Sequence, residues 1–138
     1  SQGAYEILTN LFPENTMDYR ETIIVLYLNR ANKVLGYSVI SQGGTSNTTV
    51  DIKMVIQTAL LANASCIMLA HNHPSGNLRP SSDDNRITNR IIEAARLLLH
   101  IRVANASLIR PAPRRDLNKS QRHLPLAFNI ALNQVQCE

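Results

Sequence analysis

Cys66-Ile67-Met68-Leu69-Ala70-His71-Asn72-His73-Pro74-Ser75-Gly76-Asn77-Leu78-Arg79-Pro80-Ser81-Ser82-Asp83-Asp84 passes from an apolar run, through a turn-rich loop, into a helical pattern. Ser65 to Ala70 reads as a buried strand. Ser82 to Leu99 reads as a helix, with Ile87, Ile91, Ala94, Ala95 and Leu98 at helical spacing. In open α/β sheets, sites gather at the carboxyl ends of strands, which is where this loop begins. His71 and His73 stand one residue apart there, and the period-two alternation of a strand turns both to one face. Imidazole nitrogens bind zinc at about 2.0–2.1 Å and carboxylate oxygens at about 2.0–2.2 Å. A carboxylate from the first helical turn, Asp83 or Asp84, completes a set of three. Such a set leaves a fourth tetrahedral position for water, as catalytic zinc sites do, and lowers the pKa of that water from 15.7 to about 7. Pro74, Gly76 and Pro80 fix the loop and reduce the entropy of assembling the ligands. The competing reading is plain. A serine N-cap with acids behind it is an ordinary helix start, Ser81-x-x-Asp84 resembles a capping box, and His-x-His alone is weak. The combination at this spacing, on a strand, loop and helix, favours the metal.

Working outward, Ala4 to Phe12 has the apolar spacing of a short helix, which Pro13 ends. Thr22 to Leu28 is a nearly continuous apolar strand, expected to be central and covered on both faces. Asn29 to Lys33 is a turn, and Val34 to Ser41 a second strand paired with the first. Gly43-Gly44 breaks it. A helix opens near Thr49-Val50-Asp51 and runs to about Asn63, with Val55, Ile56, Ala59 and Leu60 expected on its buried side. Ile101 to Ile109 is a further strand. Alternation of this kind predicts an α/β fold, a mixed sheet flanked by helices.

The chain has 138 residues, enough for one domain with a real core. It shows no run of 18 apolar residues and no signal-peptide layout. A buried thiol at Cys66 suits a reducing compartment better than a disulfide with Cys137, so a soluble, cytoplasmic protein without membrane contact is expected. The net charge of +4 is unevenly spread, because six of 14 basic residues (Arg102, Arg110, Arg114, Arg115, Lys119 and Arg122) face only Asp116 in their span. Such a tail can hold phosphate backbones without sequence preference, or be a solvated terminus. Arg110 to Arg115 reads as a proline- and arginine-rich linker, and Leu124 to Val135 as a short amphipathic helix.

His71-x-His73-Pro74, followed by Ser81-x-x-Asp84, resembles the JAMM motif of the MPN/JAB metalloproteases. His71-Asn72-His73-Pro74-Ser75-Gly76 with Pro80-Ser81 and Asp84 resembles the RadC branch of that superfamily. Glu21 before Thr22 to Asn29 resembles the family's glutamate-bearing first strand, Gly43-Gly44-Thr45 its Gly-Thr turn, and Ala59-Leu60 to Ala64 the helix end before the metal strand. The resemblance covers Met17 to Val103. Beyond it, Asn105-Ala106 stand where the family has Asp-His. The resemblance implies a JAB/MPN, cytidine-deaminase-like architecture over residues 17–109, between a helical segment at 1–16 and a basic tail at 110–138. It implies one Zn2+ per chain, or another divalent ion, held by His71, His73 and Asp84, with Asp83 left exposed. By spacing alone Glu21 is a surface glutamate; the resemblance makes it the general base, a role for which Glu14 is the alternative carboxylate. Ser81 becomes an oxyanion donor, which leaves Ser82 as the helix cap. Asn72 points away from the metal.

Three functions follow as expectations. The first is a zinc-dependent hydrolase in which metal-activated water attacks an amide or isopeptide bond of a peptide substrate. The second is a DNA-associated repair accessory, or a metal-dependent nuclease, with DNA held by the basic tail; RadC-like proteins are linked with DNA repair. No helix-turn-helix, zinc finger or stacking platform supports it. The third, a non-catalytic MPN scaffold, sits poorly with an intact Glu21, His71, His73, Ser81 and Asp84.

Overall fold

Strand β1, Thr22–Leu28, is buried along its whole length. That is possible only for a strand with neighbours on both edges and cover on both faces. In the computed structural model, which describes residues 7–8, 10–12, 19–42, 50–75, 79–99, 101–108 and 130–133, β1 is such a strand. It pairs antiparallel with β2, Val34–Gln42, and antiparallel with β3, Cys66–Asn72. Strand β4, Arg102–Leu108, lies parallel to β3, and β5, Ile130–Asn133, antiparallel to β4. The five-stranded sheet therefore has the order β2-β1-β3-β4-β5. A parallel pair needs a crossover, and helix α2, Ser82–Leu99, supplies it.

The two faces of the sheet carry separate cores. On one, Ile23, Val25, Tyr27, Ile67 and Leu69 meet Val55, Ile56 and Ala59 of helix α1, Ile52–Leu61, and Ile91 and Ala95 of α2. On the other, Ile24, Leu26, Leu28, Cys66 and Ala70 are covered by Leu8 and Phe12 of the amino-terminal helical turn. Each such Ile or Leu, fully buried, contributes roughly 1.5–3 kcal/mol. A charge introduced at Val25 has no wet side to turn to.

Local signals set the ends of α1. Asp51 caps it, its Oδ1 accepting from the Met54 N–H at 3.3 Å. Asn63 follows with φ of 50°, in the left-handed region that Asn tolerates. Asn63 N–H then reaches Leu60 O at 3.0 Å and Ala64 N–H reaches Ala59 O at 2.9 Å. This pair of bonds is a Schellman motif, and it aims the chain straight into β3.

Three expectations are corrected. Leu60 is 51% exposed, because it lies roughly a quarter-turn from the centre of the Val55-Ile56-Ala59 face at about 3.6 residues per turn. Strand β3 extends to Asn72, so His71 is inside the strand. Ile130–Asn133 is a strand in the ladder with β4, not helix; the rest of Leu124 to Val135 lies outside the described residues. Among the described residues no helix is long and apolar enough to cross a membrane.

Candidate metal centre

The end of β3 and the start of α2 bring three ligand-type groups together. His71 is buried and His73, just past the strand, is half-buried. Their Nε2 atoms lie 2.9 Å apart, with the rings edge to face. Asp84 Oδ2 is 3.6 Å from His71 Nε2 and 3.8 Å from His73 Nε2. The circle through these three atoms has a radius of about 2.0 Å, the length of a zinc–nitrogen bond. His71, His73 and Asp84 are thus close enough to hold one metal ion. Asp83 is exposed and pairs with Arg86 at 3.0 Å, as expected for a residue outside the set.

Helix capping is what aims Asp84. Ser81 is the N-cap: its carbonyl accepts the first helical bond, from Asn85 N–H at 3.1 Å, and its Oγ accepts Asp84 N–H at 3.1 Å. In return Asp84 Oδ2 accepts the Ser81 N–H at 2.7 Å and its hydroxyl at 2.7 Å. This is a reciprocal capping box built with Asp in place of Glu. The shorter side chain keeps the carboxylate close over the helix start. The expectation that Ser82 caps the helix is therefore corrected to Ser81. The Ser81 hydroxyl still stands beside the ligand oxygen, at the rim of the triad.

Glu21 sits directly before β1. Ile23 pairs with His71 across the β1–β3 ladder, and Glu21, two residues earlier, falls on the same face by strand alternation. Its pKa is raised, first by burial and then by repulsion from Asp84, with His73 pulling it down. Glu21 is therefore within electrostatic reach of two members of the triad. Burial lowers the pKa of His71, against the pull of Asp84 and with the push of His73. The neutral imidazole, the form that binds metals, is the one favoured. His71 lines a cleft with Ile23, Leu69, Asp84, Ile87 and Thr88, and the apolar side chains among these contribute to its burial. Two imidazoles and one carboxylate form a donor set that suits a divalent cation.

Asn72 faces away from the triad, as its strand position requires. Sequence reasoning assigned it no further role, yet its side chain grips the backbone beside Glu21. Its Oδ1 accepts from Thr22 N–H at 2.8 Å and its Nδ2 donates to Arg20 O at 2.9 Å. The available signal was an Asn at the end of the strand face that Cys66, Met68 and Ala70 make apolar, where a buried polar group needs partners. Glu14 lies outside the described residues, as do Arg110, Arg114, Arg115, Lys119 and Arg122 of the basic tail. Arg102 is on β4, exposed, its guanidinium donating to Asn32 Oδ1 at 3.3 Å.

A family model described as RadC-like JAB domain matches residues 1–112, past both ends of the Met17–Val103 stretch. A UPF0758 protein of Porphyromonas gingivalis is 43% identical over 79 residues, covering 57% of this chain and 35% of the relative. The UPF0758 protein YfjY of Escherichia coli (strain K12) is 40% identical over 79 residues, covering 57% and 49%. A UPF0758 protein of Flavobacterium johnsoniae is 42% identical over 98 residues, covering 71% and 42%. The chain spans between a third and a half of the length of these relatives.

Proposed function

The chain belongs to the RadC-like JAB domain family, and on that footing we propose that it is a metal-dependent hydrolase acting on an amide or isopeptide bond. The observation that carries this reading is the triangle of His71, His73 and Asp84, with Glu21 on the same face. The JAB/MPN superfamily includes metallohydrolases, which agrees with it. A divalent ion held by the triad, zinc by preference, would supply Lewis acidity and lower the pKa of water from 15.7 to about 7.

The remaining work falls to the protein. Glu21 accepts a proton from the attacking water and passes it to the leaving amine. Its raised pKa brings it nearer the neutral range in which a base can both take and return a proton. The Ser81 hydroxyl, bonded to Asp84 Oδ2 at 2.7 Å at rest, turns from that carboxylate toward a developing oxyanion. The apolar side of the cleft, Ile23, Leu69 and Ile87, keeps the local dielectric low, which strengthens each of these interactions.

The test begins with elemental analysis of protein purified without added metal. One divalent ion per chain is expected, and none in the His71→Ala/His73→Ala double variant. Glu21→Gln keeps the ion and loses about 10²–10⁴ in rate on an internally quenched peptide library or a branched isopeptide. An ion retained by the double variant refutes the ligand set. Cleavage of a DNA oligonucleotide in place of either peptide probe moves the centre to phosphodiester chemistry.

A further inference from the structure

Resting on the hydrolase reading above, we propose that Asn72 is the positioning residue that fixes Glu21 relative to the metal ligands, by clamping the backbone on both sides of it. The paired positions of β1 and β3 end at Ile23 and His71. One position further on, the Asn72 side chain carries the ladder forward. A primary amide offers an acceptor and a donor in one plane, as a peptide group does. Here the acceptor takes Thr22 N–H at 2.8 Å and the donor reaches Arg20 O at 2.9 Å.

The two anchored groups belong to the residues on either side of Glu21. Asn72 in turn lies between His71 and His73. A single side chain therefore ties the segment bearing the base to the segment bearing two ligands. It does so from the opposite face of the sheet, without entering the site. Asn72 is 1% exposed and Thr22 4%, so water does not compete for the bond between them. An Asn is a poor strand former, and Val or Ile at this position would suit the neighbouring apolar core while gripping nothing.

Two measurements on the full chain test this. The first is amide hydrogen exchange of Asn72→Ala without metal. Thr22 is expected to lose its protection while Ile24 to Leu28 keep theirs. Unchanged protection at Thr22, or opening of all of β1, overturns the clamp. The second is a double-mutant cycle with Glu21→Gln, read on the peptide library with metal content checked for each variant. Displacement of a catalytic group by about 1 Å costs on the order of 10²-fold, so Asn72→Ala should lower kcat by about that factor with KM little changed. In the Glu21→Gln background it should lower kcat no further. An equal fall in both backgrounds, the mark of a merely structural residue, overturns the proposal. Asn72→Asp, which keeps the acceptor for Thr22 and loses the donor to Arg20, carries the same cycle if the alanine variant does not fold. A wild-type chain that cleaves neither peptide probe refutes the hydrolase reading alone, and the exchange data then decide the clamp.

Discussion

Replacing Ser81 separates two duties of one hydroxyl. Ser81→Ala removes the bond from Asp84 N–H at 3.1 Å and the bond to Asp84 Oδ2 at 2.7 Å, and leaves the Ser81 N–H on that oxygen. Loss of a serine N-cap to alanine costs about 1 kcal/mol, whereas glycine costs only a few tenths. For a domain of this size 1 kcal/mol corresponds to about 3–5 °C in melting temperature. Ser81→Ala should therefore melt about 3–5 °C low and Ser81→Gly close to wild type, both followed by circular dichroism on metal-free protein. Activity should not follow that order. If the hydroxyl donates to an oxyanion, both variants lose about 10²–10³ in kcat on the peptide library. A glycine variant with wild-type kcat shows that the hydroxyl is a cap and nothing more. An alanine variant with wild-type stability shows that the box does not hold the helix start.

The raised pKa of Glu21 means that folding favours its protonated form. The associated stability is present below the unfolded value of 4.5 and is lost as pH rises through the higher folded value. Glu21→Gln should thus gain stability over wild type as pH rises through that window in metal-free urea titrations, and show no gain below it. Asn63→Ala should destabilise by about 1 kcal/mol, because alanine resists a φ of 50° and Asn63→Gly should not. Removing residues 110–138 takes away β5 and bares the edge of β4, so self-association on size exclusion is expected. DNA affinity carried by the basic residues of that tail should fall with salt at about −0.9 per phosphate neutralised on a log–log scale; filter binding across a salt series checks it.

What the sequence made legible follows the strength of each local signal. Strand β1 and helix α2 have long, single-period patterns, and their bounds agree with the reading. Leu60 was misplaced because Leu60-Leu61 prolong the apolar run of α1 beyond its buried face. Strand β5 was missed because four residues, including Ala131 and Asn133, carry little strand preference of their own and are held by pairing with β4. Adjacent serines at 81 and 82 are equally good caps by type, and only the backbone decided between them. The ligand triad was readable because its members lie within one strand–loop–helix unit. Glu21 was not, since no neighbouring residue marks it and only the resemblance to the RadC branch singled it out.

That asymmetry reaches into how the site comes into being. The triad closes a short loop between residues 71 and 84, a contact that a chain finds early and at small entropic cost. Glu21 arrives through pairings that span about fifty positions, as the Thr22–Asn72 bond does, and such contacts are slow to form. On the proposed function, a partly folded chain would hold an ion before it owned a base. On that same reading, metal capture would precede hydrolytic competence along the folding route, and the pairing of β1 with β3 would be the step that separates them.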